Sequence, residues 1–275
     1  MSTLNKTLSC FFLLITFILI GFFYRIQSQG STLTFLDVAQ GDATFIQYQG
    51  VNILIDGGDR FSRYSDKSYL RKILSKKRVK KIDVIILSHP HADHLFGIVD
   101  FLDKGFAGLI IKPPTTHTTK LYEKFLNLVN AKNIKMLEVT SGFALSIKND
   151  FQIEVFSPPN SFTINGLDNN SLVVMLKTGG RKFLFPGDIY FETEKWLVEK
   201  YGAKLRADYL KVSHHGSKKS SSQLFLKQVS PLVSVISCGR KNKYGFPHQG
   251  ALRRIQRWSK KVHRTDESGD LEVVL

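Results

Sequence analysis

The sequence predicts an α/β protein of four layers, α–β–β–α, preceded by one N-terminal hydrophobic helix. Three observations predict it. Short apolar, β-branched runs alternate with segments of helical spacing along most of the chain, the pattern of sheets covered by helices. The alternation falls into two similar halves, and in each a strand runs straight into histidines: Asp83–Leu87 before His89, and Tyr209–Val212 before His214. An uncharged apolar stretch, Cys10–Tyr24, stands ahead of both halves.

Composition bounds the reading. The chain has 275 residues, 43% of them hydrophobic, with 20 glycines and 8 prolines; this supports a full core and excludes a disordered or collagen-like chain. The two cysteines, Cys10 and Cys238, are too few for a disulfide framework. A formal net charge of +16 suits anionic partners: nucleic acid, lipid headgroups or cell-wall polymers. No feature points to a protein partner.

Taken in order, residues 1–26 read as a signal peptide or a membrane anchor, 27–31 as a linker and 32–275 as the main domain. The apolar run is short for a span of ~20 residues, and no Ala-x-Ala cleavage site follows it, which favours an uncleaved anchor. Either reading puts the remaining chain outside the cytoplasmic membrane, anchored or, after signal cleavage, secreted. Strands are predicted at 32–38, 43–48 and 51–56, the last two joined by the hairpin signal Gln49-Gly50. A helix with a basic face is predicted at 68–77. After the strand at 83–87 come a helix from Leu95, a strand at 107–111, a helix at 122–130 and a strand at 134–139. The second half repeats the plan. Strands at 153–156, 171–176 and 182–185 precede a helix at 191–201, a strand at 209–212, a helix at 224–229, a strand at 233–237, a helix at 251–258 and closing strands at 261–264 and 271–275.

The chemistry is concentrated in His89-Pro90-His91-Ala92-Asp93-His94, at the C-terminal edge of a short buried strand. Imidazole suits Zn, Fe and Mn and carboxylate the harder of these, and this spacing serves two adjacent ions: His89 and His91 facing one, Asp93 and His94 the other. Asp188 ends another apolar run, behind Pro186-Gly187, where a carboxylate can bridge two cations. His214 and His215 follow their strand as His89 follows its own; one is expected to be a ligand and the other a neighbouring or substrate contact.

The His-x-His-x-Asp-His stretch resembles the signature of metallo-β-lactamase fold hydrolases. Phe35–Ala43, Phe185-Pro186-Gly187-Asp188, Leu210–Ser217 and Tyr244–His248 resemble, in order, motifs of the extracellular nuclease-like domain of ComEC-type competence proteins. The resemblance implies a metallo-β-lactamase-like sandwich binding two divalent ions, Zn or Mn, with Asp188 as the bridging aspartate. It implies Asp93 and His248 as catalytic residues, and Asn170, Ser171, Ser217 and Tyr244 as substrate contacts. Many members supply a further histidine before the bridging aspartate. Here only His117 falls in that interval, and it reads as a loop histidine; Asn169-Asn170-Ser171-Leu172 matches the ComEC-like motif instead, placing Asn170 or Ser171 near the first ion. Fewer nitrogen ligands make Mn²⁺ more suitable beside Zn²⁺.

Three functions compete: a metal-dependent phosphodiesterase or nuclease acting on extracellular DNA; a hydrolase of another phosphodiester or ester, such as a wall polymer or a small lactone; and a non-catalytic, membrane-tethered binding module. The intact ligand set argues against the third.

Overall fold

The computed structural model describes residues 30–60, 67–148, 150–160 and 164–275, together with Thr16. The predicted signal or anchor, including Cys10, lies outside the described residues apart from Thr16. Among the described residues no helix is long and apolar enough to cross a membrane.

Two seven-stranded sheets face each other. The first half supplies β1 (Thr32–Phe35), β2 (Thr44–Tyr48), β3 (Val51–Ile55), α1 (Tyr69–Lys76), β4 (Lys81–Ile86), α2 (Ala92–Lys104), β5 (Phe106–Lys112), α3 (Lys120–Ala131) and β6 (Lys135–Glu138). The second supplies β7 (Ala144–Lys148), β8 (Phe151–Ser157), β9 (Val173–Thr178), β10 (Arg181–Phe185), α4 (Phe191–Tyr201), β11 (Tyr209–Lys211), α5 (Gln223–Val229), β12 (Val233–Ile236), α6 (Gln249–Trp258), β13 (Lys261–Arg264), the short α7 (Thr265–Ser268) and β14 (Leu271–Val274). The sheet orders are β14-β1-β2-β3-β4-β5-β6 and β13-β12-β11-β10-β9-β8-β7. In each, an antiparallel meander turns parallel, at β3–β4 in one and β10–β11 in the other. The halves are thus copies in topology, and β14 returns to complete the first sheet beside β1.

Three apolar layers follow from the strand pattern. In β4, Val84 and Ile86 face the opposite sheet while Ile85 faces the helices; in β10, Phe183 and Phe185 face inward and Leu184 outward. Burial on both faces is why these strands read as unbroken apolar runs. β7 was not anticipated. It alternates exposed and half-buried residues at a sheet edge and has no apolar run to mark it.

Two contacts set the helices that frame the site. In the first, a Cβ placed on Gly97 of α2 would lie 1.9 Å from the Gly57 carbonyl oxygen. Helix and loop are held at that range because Gly57 N–H donates to His94 O at 2.7 Å and Gly97 N–H to Gly58 O at 3.1 Å. Gly97→Ala is therefore expected to destabilise the fold by about 1–3 kcal/mol and to displace His94, read as a lower urea midpoint together with weaker metal retention. An unchanged midpoint would show that the helix has room to move.

In the second contact, Glu194 of α4 accepts the backbone N–H groups of Ser221 and, at 2.7 Å, Ser222, which caps α5. Burial pushes its carboxyl up from 4.5 to about 7. The folded state then binds that proton more tightly than the unfolded state, so stability falls as pH rises through this window, by up to ~3 kcal/mol. Glu194→Gln is expected to flatten this part of the curve. Melting temperatures of both proteins at pH 5 and pH 8 test it, and parallel curves would refute it.

Candidate metal centre

The site sits between the sheets, past the C-terminal ends of the strands where pairing switches from antiparallel to parallel, the usual place for chemistry in such sheets. β4 leads into Ser88 and His89. His91 is the N-cap of α2, whose first turn carries Asp93 and His94. β10 leads into Asp188, and β11 into His214 and His215. These two adjacent histidines have φ of 46° and 53°, left-handed for residues with side chains, a strained geometry of the kind found at functional sites.

The side chains gather in two groups that meet at Asp188. In one, His89, His91 and Asp168 converge. His91 Nδ1 lies 2.9 Å and His89 Nε2 3.5 Å from Asp168 Oδ1. In the other, Asp93, His94 and His215 converge, with His215 Nε2 at 3.3 Å from Asp93 Oδ2. Asp188 Oδ2 lies 3.3 Å from His94 Nε2, 3.5 Å from His215 Nε2 and 4.0 Å from His89 Nε2.

The donor set fits divalent cations. His94 Nε2, His215 Nε2, Asp188 Oδ1 and Asp168 Oδ1 are all buried and, despite close polar neighbours, make no well-aligned hydrogen bond, although buried polar atoms are ordinarily satisfied. Their opposite ends are tethered. His94 Nδ1 is 2.9 Å from Asp56 Oδ2, and Asp56 also accepts the Ser88 N–H and hydroxyl at 2.7 Å each. His215 Nδ1 donates to Ser237 O at 2.9 Å and faces Asp42 Oδ1 at 3.1 Å, while Asp42 Oδ2 is held by the buried Lys211 ammonium. Such outer partners fix the ring orientation and leave the inner nitrogen for the ion.

The electrostatics show how strongly the carboxylates draw positive charge into the site. Burial opposes charge on His94 and His215, yet carboxylates outweigh it. Asp188 and Asp56 raise His94 well above its ordinary range, and Asp188 and Asp42 raise His215 to about 10. Burial also pushes Asp188 up, but His94 and His215 overcome this and hold it well below the carboxylate range. His89, buried and beside His94, falls to about 3.

Asp168 is the residue that sequence reasoning missed. It stands in the position expected of Asn170 or Ser171. Asn170 instead turns into its own loop, donating to Gly166 O at 2.7 Å and accepting from Ile164 N–H at 3.2 Å. Ser171 links the two carboxylate residues, donating to Asp168 O at 2.7 Å and accepting from Asp188 N–H at 3.3 Å. The signal was available, because Asp168 is the sole acidic residue between Glu154 and Asp188.

Of the two adjacent histidines, His215 turns into the second group with its side chain 1% exposed; His214, 18% exposed, lines the cleft 3.9 Å from Asp188. The cleft above the site, about 710 Å³, is also lined by Tyr244, Arg60, Lys120 and His117. His117, read as a loop histidine, has its ring 5.7 Å from that of His91. His248 and Ser217 are not among the lining residues: His248 Nδ1 accepts Lys218 N–H at 3.1 Å, and the buried Ser217 hydroxyl accepts Lys219 N–H at 3.4 Å.

An αββα sandwich with clustered histidines and aspartates at the strand ends defines a metal-dependent hydrolase. Residues 36–240 match the model of the metallo-beta-lactamase superfamily, and the chain belongs to that family. It is 32% identical over 268 residues to ComE operon protein 3 of Bacillus subtilis (strain 168), covering 91% of this chain and 34% of that protein. It is 29% identical over 239 residues to Recombination protein 2 of Haemophilus influenzae, covering 86% and 28%. The chain thus spans about a third of the length of these relatives. Among solved structures, the metallo-beta-lactamase fold protein YhfI from Bacillus subtilis superposes with a TM-score of 0.59 at 15% identity, over 88% of this chain and 100% of that one.

Proposed function

We propose that this chain is a metal-dependent phosphodiesterase that cuts DNA outside the cytoplasm. The observation that carries the reading is the cleft, where a polar floor of candidate ligands, ending on Asp188, is flanked by Arg60 and Lys120. That arrangement suits a phosphate backbone drawn in by a chain of net charge +16. One of the relatives, Recombination protein 2, is named for recombination, a process that acts on DNA. The extracytoplasmic location rests on the sequence of residues 1–26.

In this reading His89, His91 and Asp168 would hold one divalent ion and Asp93, His94 and His215 a second, with Asp188 available to either group. Bound ions supply activation of water and neutralise charge at phosphorus. Asp56 and Asp42 keep the inner nitrogens of His94 and His215 aimed at the floor. The Tyr190 hydroxyl donates to Asp168 Oδ2 and steadies that carboxylate. With two imidazoles and one carboxylate of its own, each group stands between the preferences of Zn and Mn.

Plasmid and single-stranded DNA incubated with the purified chain and Mn²⁺ or Zn²⁺ test the proposal. Cleavage is expected from the wild type, falling as salt rises, and none from Asp93→Ala. No cleavage of DNA by protein that retains its metal would overturn it and turn attention to other phosphodiesters and esters.

A further inference from the structure

We propose that Tyr244 and Phe246 form a stacking platform that receives one unpaired nucleobase next to the phosphodiester being cut. The inference rests on the phosphodiesterase reading and adds a specificity-determining surface to it.

A continuous series of rings leads away from the metal centre. Tyr190 stacks on His214 with centroids 5.1 Å apart and planes 18° apart. His214 meets Phe246 edge-on at 5.6 Å, and Phe246 stacks on Tyr244 at 5.4 Å and 18°. His214 Nε2 is itself 3.9 Å from Asp188 Oδ2, so Tyr244 lies two ring contacts from the centre. A phosphate on the floor would bring the adjoining base to this wall.

The platform is built before any ligand arrives. Asn242 ties its loop with four hydrogen bonds, donating to Gly239 O and Phe246 O and accepting from the N–H groups of Tyr244 and Phe246. Tyr244 nevertheless remains 48% exposed, a large ring on a tethered backbone, resting on Phe246 and open to the cleft. A fixed aromatic ring facing a wet cleft loses little conformational freedom on taking a planar partner.

Magnitudes favour a base over the present neighbour. The Lys243 ammonium lies 4.9 Å from the Tyr244 ring centre. At an exposed site such a contact is worth about 0.5–1 kcal/mol, whereas stacking of a base on an aromatic side chain is worth about 1–3 kcal/mol. Lys243 is exposed and long enough to leave the ring for a backbone phosphate. A paired base has both faces covered within the duplex, so the platform selects unpaired positions.

The test compares two strands of equal length and charge on the metal-loaded protein: an ordinary oligonucleotide and one whose sugars carry no bases. Phosphorothioate linkages slow cleavage while binding is read by fluorescence anisotropy. The wild type and Tyr244→Phe are expected to bind the base-bearing strand about tenfold more tightly. Tyr244→Ala is expected to bind both strands alike, with the melting temperature of the wild type. With cleavable strands and Mn²⁺, the loss in Tyr244→Ala should fall on KM. A Tyr244→Ala protein that keeps the wild-type preference would overturn the platform. A wild type that shows the preference yet cleaves neither cleavable strand would support the platform while removing the nuclease reading.

Discussion

Asp188→Asn is expected to lower hydrolysis by on the order of 10³-fold and to reduce bound metal at the same time. The carboxylate faces His94, His215 and His89 from one oxygen and leaves the other buried and unpartnered. Asparagine keeps the shape but presents an amide, with one acceptor and an N–H donor that competes with the imidazoles. The negative charge that holds His94 and His215 in place is lost with it. Removing one shared ligand forfeits several kcal/mol of transition-state stabilisation, and each 1.36 kcal/mol is tenfold in rate. Kinetics on a bis-aryl phosphodiester, beside elemental analysis of the protein, decide the matter. Activity within tenfold of wild type would mean that Asp188 does not touch both ions.

Asp168→Ala gives the second large effect, and a more selective one. Among the described residues, Asp168 belongs to the group with His89 and His91 and to no other candidate group. Its carboxyl is pushed up by burial but held below the ordinary range by His91. Removing it should lower the metal content from two ions to one and activity by about 10²-fold, leaving the group of Asp93, His94 and His215 loaded. Asp168→His is the informative partner. A third imidazole there should shift preference from Mn²⁺ towards Zn²⁺, since nitrogen donors suit zinc better than manganese. Unchanged stoichiometry in Asp168→Ala, with unchanged metal preference in Asp168→His, would remove Asp168 from the site.

What the sequence made legible followed from locality. His89, His91, Asp93 and His94 lie within six residues after an apolar run, so strand geometry alone brings them together. Asp188 and the two adjacent histidines repeat the arrangement after β10 and β11. The layers were equally legible, because strands buried on both faces leave unbroken apolar runs. Asp168 escaped because it opens a 3-10 turn, Asp168–Asn170, at the end of a polar loop, with no strand leading into it. Its partners, His89 and His91, come from the other half of the molecule. The choice between His214 and His215 depends on left-handed backbone angles that neither residue type announces. Asp42 and Lys211, which brace His215 from below, fall within the motif stretches Phe35–Ala43 and Leu210–Ser217, but nothing in the sequence shows that both are buried and paired.

The pairing of β1 with β14 has a consequence for how the molecule is made. Thr32 lies opposite Val274 and Phe35 opposite Leu271. During synthesis the first sheet can assemble from β1 to β6 and bury much of its apolar surface early. One flank of β1 nevertheless stays open until β14 emerges. An open strand edge is a template for pairing with another chain, and the hazard lasts as long as the intervening residues take to be synthesised. The long-range closure also raises the mean sequence separation of contacts, which slows folding. The two half-sandwiches, alike in topology, are therefore unlike in timing: the second can close on itself, whereas the first waits for β14.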